Sequence, residues 1–463
     1  MCSSCSRPHG ASKSTTLQLA AEKYKQLNPT GRIRYLIFGK ALADESRTSF
    51  GVNAMVSTIH AMAHNAIIKP FKLNSNIMPF IHWKDVPIKL PFNSLPVISK
   101  LIDDYCSSSA LSLADFMLTY PEDIPRDYPA YASQLMDFMA TGKMKPTHGL
   151  YLKMYHLLVM NGTIKPDPVD ILMVDEFQDI SSQVLDIIER IPAKLKVFTG
   201  DQHQTIFQFL NLENGFARYP NATTLTLSKS FRVTKPLAVK IEQFMRSTVE
   251  PDFIFDGMDY PDNPTINTEA YITRTNAELI GKMVELNQTN TPYRLAHTAK
   301  IDQMFKLPVT VITATPGGTT YSPELKYIQA AVDRWGRLPD NSERPSKFKF
   351  LMQSFPDDQP LTEAIKLIVS HGPDTIMDAY NGAKLHKNSS GMLLCTAHTS
   401  KGLTLDKVTL SNGMNECVED ALYNITKKLT VSDEQYAELN LYYVAVSRAR
   451  HELINAKHLD KFH

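Results

Sequence analysis

The sequence contains no apolar run of about 18 residues or more, the length that a membrane-spanning helix requires, although 43% of its 463 residues are hydrophobic. Its first residues, MCSSCSRPHG, carry no apolar signal segment. The five cysteines are too few and too scattered for a disulfide framework: Cys2, Cys5, Cys106, Cys395 and Cys417. We therefore expect an intracellular protein, cytoplasmic or nuclear, with reduced thiols and no membrane association.

Neither sign of charge is in excess, because 49 lysines and arginines stand against 48 aspartates and glutamates. This balance neither indicates nor excludes a nucleic-acid partner, since a local basic groove does not show in a net sum. Cys2 and Cys5 form a CxxC pair with no second pair nearby, which disfavours a zinc site. The sequence has no internal repeat and no low-complexity tract, so we expect an ordinary multidomain globular protein.

The segment ILMVDEFQDISS (171–182) runs from four apolar residues straight into Asp175 and Glu176. Two interpretations are open at this point. One is a buried strand that ends in a solvated acidic turn. The other is a Walker B element, in which the first carboxylate binds Mg²⁺ and the second orients the attacking water. The presence of the rest of a nucleotide site elsewhere in the chain decides between them.

Short apolar strands alternate with helical patterns on both sides of this segment, which predicts parallel sheets covered on both faces. The alternation covers 15–64, 150–230, 270–286 and the region that resumes at 391. Two stretches interrupt it. Residues 66–149 are rich in proline and aromatics with short mixed helices, and residues 301–389 read as irregular and proline-containing. Both are expected to be insertions.

A polar cluster follows the strand KVFTG (196–200), in the segment GDQHQTIFQF (200–209). Ligands of open parallel sheets bind at the carboxyl ends of strands. There Gln204 would sense a γ-phosphate, while Phe207 and Phe209 would stack on bases. The alternative is a Gly-Asp turn followed by two core phenylalanines, and for this segment taken alone that alternative is the simpler one.

Taken together, DEFQD and GDQHQTIFQF resemble motifs II and III of the UvrD/Rep-like superfamily 1 DNA helicases. Further segments resemble the family's other motifs and occur in the family's order. The residues of STIHAMAH and TAHTSKGL are most similar to those of the F-box DNA helicase and phage-type branch. The segments are YLIFGKALADE (35–45), STIHAMAH (57–64), LSKSFR (227–232), ITRTNAEL (272–279), TAHTSKGLTLDKV (396–408) and ELNLYYVAVSRAR (438–450).

The resemblance implies an α/β fold of two RecA-like P-loop NTPase motor domains with parallel sheets, each carrying an inserted, mainly helical or mixed subdomain. The first motor would comprise 1–65 and 150–230, with 66–149 inserted. The second would comprise 231–300 and 390–463, with 301–389 inserted. The implied function is an ATP-dependent DNA helicase or translocase that uses ATP and Mg²⁺. It would move 3′ to 5′ on single-stranded DNA or at a junction of single and double strands, as a monomer.

The resemblance also implies the roles of single residues. Asp175 would hold Mg²⁺ with Ser14, Glu176 would polarise the attacking water, and Gln204 would sense the γ-phosphate. Residues of the second motor would complete the site: Phe231 stacking on adenine, Gly402 near the nucleotide, and Arg232 and Arg448 neutralising charge on the γ-phosphate. The phosphate loop would be Gly10, Ala11, Ser12, Lys13, Ser14 and Thr15. DNA contacts are expected from Phe38, Lys40, Thr58, His60, Phe207, Phe209 and His398.

The phosphate loop RPHGASKST (7–15) departs from the family pattern, because Ser12 replaces the glycine before the lysine. A side chain at that position restricts φ and the approach of backbone N–H groups to phosphate. Thr404 also replaces the usual motif V glutamate, and Leu210 replaces the usual arginine after motif III. Three readings stay open: the loop works in this form, the N-terminus is incomplete, or the chain is a catalytically silent scaffold that binds DNA or a protein.

Overall fold

The computed structural model describes residues 12–73, 75–91, 94–205, 212–261, 264–296, 301–319, 325–356, 358–385 and 390–462. The chain divides into two compact units. The first ends at Leu227 and the second begins at Ser228, close to the boundary at 230 that the sequence suggests.

A parallel sheet forms the centre of the first unit. The strands of this unit are β1 (Ile33–Leu36), β2 (Met55–Ser57), β3 (Val169–Val174), β4 (Ile180–Ser181), β5 (Ala193–Phe198) and β6 (Leu212–Glu213). Four of them make one sheet in the order β2–β1–β3–β5, and each neighbouring pair is parallel. The two-residue strands β4 and β6 form a separate antiparallel pair.

Helices α1 (Ser12–Leu27), α2 (Lys40–Phe50), α3 (Ile59–Ile67), α7 (His148–Met160) and α8 (Ser182–Arg190) cover the two faces of this sheet. Helices α4 (Leu95–Ser107), α5 (Leu113–Met117) and α6 (Tyr128–Ala140) pack in a separate core. The last four residues of β3, 171–174, are all apolar because alternate side chains enter two different cores. Ile171 and Met173 pack in the cluster that includes α1 and α2, while Leu172 and Val174 pack with α3, α7 and α8.

The first insertion has its own hydrophobic core, and α7 connects that core with the sheet. Ile98 and Leu101 of α4 pack with Leu135 of α6 in the core of the insertion. Leu150 at the start of α7 belongs to the same core, whereas Tyr155, further along α7, packs under the sheet. One helix therefore fixes the insertion to the sheet that carries the candidate site.

The second unit contains a second parallel sheet. The strands of the second unit are β7 (Lys229–Thr234), β8 (Asp256–Met258), β9 (Glu269–Thr273), β10 (Tyr293–Leu295), β11 (Met392–Thr396), β12 (Leu405–Leu410) and β13 (Ala449–Ile454). The sheet order is β10–β11–β9–β12–β13, with parallel neighbours throughout. Strands β7 and β8 form a separate parallel pair. The predicted α/β class with parallel sheets is confirmed.

The helices of the second unit are α9 (Lys235–Thr248), α10 (Asn276–Gln288), α11 (Ile301–Thr313), α12 (Lys326–Gly336), α13 (Lys347–Ser354), α14 (Gln359–His371), α15 (Pro373–Leu385), α16 (Ala397–Ser400), α17 (Asn412–Glu416), α18 (Glu419–Thr426) and α19 (Asp433–Val446). The irregular reading of 301–389 is wrong, because α11 to α15 lie there. Pro360 and Pro373 stand in the first turns of helices, where a missing N–H costs nothing. No helix in the described part of the chain is long and apolar enough to cross a membrane.

A hydrogen bond between Asp186 and a buried histidine links α7 to α8. Asp186 on α8 accepts hydrogen bonds from His156 Nε2 at 2.9 Å and from Arg218 Nη1 at 2.7 Å. His156 is fully buried. Burial opposes ionisation of Asp186, but the hydrogen bonds from His156 and Arg218 outweigh it and lower the pKa of the carboxyl below its usual value.

We expect Asp186→Asn to destabilise the first unit by about 1–3 kcal/mol at pH 7, because charged hydrogen bonds are lost. Since the folded-state pKa is depressed, the carboxylate contributes its stability above the ordinary pKa of about 4 and loses it as the pH falls through the lower folded value. Thermal melting followed by circular dichroism should show a Tm gap that is full at pH 7 and shrinks below about pH 4. The exposed Asp137→Asn on α6 is the control. A gap that does not change with pH would contradict this account.

Candidate functional site

The carboxyl ends of three neighbouring strands meet at one edge of the first sheet. Asp175 follows β3 directly, and its backbone N–H donates to Leu36 O at the end of β1, at 3.0 Å. Thr199 follows β5 and donates its N–H to Val174 O at 2.9 Å. The strand pairing thus continues into the loops and places their first polar side chains side by side.

The Asp175 carboxylate accepts hydrogen bonds from four different donors. Its Oδ2 accepts from Ser14 Oγ at 2.9 Å and from Tyr35 OH at 2.7 Å. Its Oδ1 accepts from Thr199 Oγ1 at 2.7 Å and from the Glu176 N–H at 3.0 Å. The residue is only 3% exposed. A buried carboxylate is costly unless such donors satisfy it, so these bonds hold α1, β1, β3 and β5 together.

Tyr35 acts here as a neutral donor. Burial, followed by the charge of Asp175, raises the pKa of its phenol well above the usual value. The proton therefore stays on the phenol and remains available to the carboxylate. The aromatic ring stacks on Phe50 of α2, with ring centroids 4.4 Å apart.

Glu176, the second carboxylate, lies beside the start of α1. Lys13 Nζ is 3.8 Å from its Oε1, and Gln178 Nε2 donates to its Oε2 at 2.6 Å. Its backbone has a φ of +53°, which a non-glycine residue rarely adopts. Such strain is characteristic of sites where the surrounding structure fixes a side chain for function. Lys13 and Ser14 stand in the first turn of α1, where free N–H groups and the helix dipole favour phosphate.

Gln178 links Glu176 to the turn that contains Gln204. Its Oε1 accepts from the Asp201 N–H at 3.2 Å, and Gln204 Nε2 donates to Asp201 Oδ2 at 2.7 Å. Gln178 is fully buried. A Cβ on Gly200 would lie 2.3 Å from Gln178 Oε1, so only glycine permits this close approach. Hydrogen bonds therefore connect the second carboxylate with the loop after β5.

The Ser14–Asp175 pair has the chemistry of a magnesium site. Ser14 donates its proton to Asp175, so its oxygen lone pairs remain available to a cation. Proteins hold Mg²⁺ with one or two oxygen side chains, and water and substrate phosphates supply the other ligands. Within the described residues, no group of three or more His, Cys, Asp or Glu side chains could hold a metal ion. The residues fit an ion that binds together with nucleotide phosphates.

Several residues of the predicted site lie outside the described part of the chain. Gly10 and Ala11 lie outside the described residues, as do Phe207 and Phe209. Ser12 begins α1, but its side chain is also outside the described part. Thr15 lies exposed in the first turn of α1.

The other predicted DNA contacts of the first unit follow neighbouring strands at the edge that carries Asp175. Phe38 follows β1, and Lys40 begins α2. Thr58 follows β2 and caps α3, accepting from the Ala61 N–H at 3.0 Å. His60 lies in the first turn of α3, with its Nδ1 3.1 Å from Tyr151 OH. A contact of these residues with DNA remains a prediction.

The remaining predicted residues belong to the second unit. Phe231 is 50% exposed on β7, with Arg232 half-buried beside it. His398 lies half-buried in α16. Gly402 adopts a φ of +86° before β12. Arg448 is buried and donates to Val444 O and Ser447 Oγ, both at 2.8 Å. Their roles toward nucleotide or DNA remain predictions.

The structure adds three side chains that the sequence does not single out. Tyr35 reads as one apolar residue of a buried strand, and Thr199 as a residue near the end of the strand KVFTG. Gln178 reads as a spacer between two carboxylates. A signal does exist for Thr199, because polar residues at the ends of adjacent parallel strands meet at one sheet edge. Tyr35 gives no such signal, because a strand tyrosine is usually explained by packing.

Comparison with known proteins gives matches over most of the chain. A family model described as an AAA domain matches residues 6–210. The F-box DNA helicase protein 1 of Schizosaccharomyces pombe is 24% identical over 93% of this chain and 53% of its own length. The F-box DNA helicase 1 of Gallus gallus is 21% identical over 97% of this chain and 47% of its own length. The chain thus spans about half the length of these curated relatives.

We expect Tyr35→Phe to destabilise the first unit by about 1.5–3 kcal/mol, because a hydrogen bond to a buried carboxylate is lost while the ring is kept. For a unit of this size the Tm should fall by about 3–10 °C. Differential scanning calorimetry measures the change, and Tyr128→Phe on α6 is the matched control. A Tm equal to that of the control would show that the phenol does not stabilise Asp175.

Proposed function

We propose that this chain is an ATP-dependent DNA helicase or translocase, and its similarity to an AAA domain and to two F-box DNA helicases supports the proposal. The proposed substrate is single-stranded DNA or its junction with duplex, and the proposed direction is 3′ to 5′, with the chain acting as a monomer. The observation that carries the proposal is the joining of Lys13 and Ser14 to Glu176 and Asp175. A phosphate-binding helix start and an acid pair at a strand end are the two halves of an ATPase site.

Each residue of this site has a role that its contacts suggest. Lys13 would exchange its ion pair with Glu176 for the phosphates of ATP, since both are anionic partners of one ammonium group. Glu176, held by Gln178, would then accept a proton from the attacking water. Ser14 and Asp175 would hold Mg²⁺, which when bound neutralises charge on the phosphates. Gln204 would report the state of the phosphate through Asp201 and Gln178.

Residues of the second unit are part of the same proposal. Arg232 and Arg448 are proposed to neutralise charge that develops on the γ-phosphate, and Phe231 to stack on adenine. The exposed face of Phe231 suits a planar ligand. Arg448 would have to exchange its hydrogen bonds to Val444 O and Ser447 Oγ for phosphate oxygens, which are stronger, charge-assisted acceptors.

The contacts of Asp175 support hydrolysis rather than a silent scaffold. Three hydroxyl groups from separate elements donate hydrogen bonds to one buried carboxylate. The next residue, Glu176, has a strained backbone with a positive φ. A protein that only binds DNA has no physical need for such an arrangement. Ser12 would then be tolerated in the phosphate loop at a cost in binding rather than in chemistry.

We expect Glu176→Gln to lower the ATP turnover number by about 10²–10⁴-fold, because the amide cannot accept the proton of water. Lys13→Ala should weaken both ATP binding and turnover. The parent protein should hydrolyse ATP faster when an oligo(dT) strand is added. A phosphate-release assay with and without DNA measures these rates.

Glu189→Gln on α8 is the matched control, since it makes the same change away from the site. Retention of strand binding with no hydrolysis by the parent protein would contradict the enzyme proposal and favour the scaffold. Recovery of hydrolysis in Ser12→Gly would then trace the defect to the phosphate loop.

A further inference from the structure

A short segment of the first insertion differs in charge from the rest of the chain. Residues 69–89, called here the basic–aromatic segment, carry four lysines, Lys69, Lys72, Lys84 and Lys89, and one acidic residue, Asp85. Residues 100–137 of the same insertion carry seven acidic and two basic residues. The insertion is therefore basic on one stretch and acidic on the other, although the whole chain is almost neutral.

Large aromatic side chains of the basic–aromatic segment are exposed. Phe80 is 54% exposed and Trp83 is 37% exposed. The Phe80 ring contacts the His82 ring, with centroids 4.4 Å apart, and His82 and Lys84 are exposed as well. Aromatic faces beside ammonium groups suit a partner with flat apolar rings and negative charges, which is the chemistry of single-stranded nucleic acid.

The basic–aromatic segment is fixed to the start of α7. Met78 forms a parallel bridge with Thr147, and its N–H donates to Pro146 O at 2.9 Å. Thr147 caps α7 by accepting from the Leu150 N–H at 3.2 Å. The exposed rings of 80–83 therefore follow directly after a point that is anchored to α7.

The start of α7 is in turn joined to the start of α3. Tyr151 OH lies 3.1 Å from His148 Nδ1 and 3.1 Å from His60 Nδ1, so one phenol bridges two imidazoles. A phenol donates one hydrogen bond and accepts others, so Tyr151 serves both rings at once. Burial raises the pKa of Tyr151 to about 12, and the phenol therefore keeps its proton.

His60 is an exposed residue of α3. Partial burial of its side chain, followed by the charge of His148, lowers its pKa to about 4, so its ring is neutral near pH 7. The Met78–Pro146 hydrogen bond and the contacts His148–Tyr151–His60 join the basic–aromatic segment to the helix that Thr58 caps.

We propose that Phe80, His82, Trp83 and Lys84 bind single-stranded DNA and extend its path from Thr58 and His60 onto the insertion. The rings stack on bases and Lys84 contacts phosphate, while the acidic stretch 100–137 repels the strand. This inference rests on the proposed DNA activity, and it assigns to the insertion a DNA-binding role of its own.

The two tryptophans of the chain permit a direct test. Trp335 lies in the second unit, donates to Pro345 O at 2.8 Å, and packs under Arg344 at 4.1 Å from the ring centroid. Trp335→Phe leaves Trp83 as the single tryptophan of the full-length chain. Titration with unlabelled oligo(dT) should quench Trp83 fluorescence in a saturable manner, at the same concentrations that raise the anisotropy of a labelled copy of the strand.

Substitutions then measure the size of the contact. Trp83→Ala should weaken strand binding about 5- to 100-fold, the usual effect of losing one stacked base. Lys84→Glu should reduce the slope of log affinity against log salt by about 0.7, as expected for one lost phosphate contact. The controls are Leu118→Ala, an 84% exposed residue of the same insertion, and the exposed Lys366→Glu on α14. Both should bind the strand like the parent protein.

Each contrary result points to a different failure. Unchanged Trp83 fluorescence and unchanged affinity of Trp83→Ala, while the labelled strand binds, would contradict DNA binding by this surface. A protein would then be the favoured partner of the surface. The proposed DNA activity would survive that outcome. Absence of strand binding by the parent protein itself would overturn the DNA activity, and this inference with it.

Discussion

The candidate site depends on one buried carboxylate whose hydrogen-bond partners come from separate parts of the first unit. Asp175 accepts from Ser14 on α1, from Tyr35 on β1 and from Thr199 after β5. None of these donors reaches it unless the parallel strands are in register and α1 packs on the same sheet edge. The same contacts therefore hold the fold together and build the site, because the loss of any one donor leaves the buried carboxylate less well compensated.

Two further connections lead away from this carboxylate. The loop after it joins Glu176, through Gln178, to the turn of Gln204, so hydrogen bonds connect the strand end with the next loop. The other connection is α7, which packs under the sheet, enters the core of the insertion and bonds to α8 through His156. Tyr151 on the same helix contacts His60. The helix α7 therefore connects the insertion with the sheet edge at which the predicted DNA-contacting residues lie.

The sequence predicts those parts of the architecture that appear as a local hydrophobic pattern or as a motif. The run before Asp175 predicts a strand buried on both faces, and the ordered motifs predict parallel sheets. The residue pattern alone does not predict the helices of 301–389, because prolines in first turns, and Pro308 inside α11, look like breaks until the helices are known. Tyr35 and Gln178 also escape notice, since their roles arise from partners that are distant in sequence. The burial of Arg448 is likewise a property of packing, which a motif does not contain.

The most direct test of the central claim is the equilibrium binding of a fluorescent ATP analogue to the full-length chain, with Mg²⁺ and with a chelator. If Lys13, Ser14 and Asp175 form a working site despite Ser12, the analogue binds, it binds more tightly with Mg²⁺, and Ser14→Ala removes that difference. An analogue that fails to bind, or that binds equally with and without Mg²⁺, would contradict the assignment of this site to nucleotide and metal.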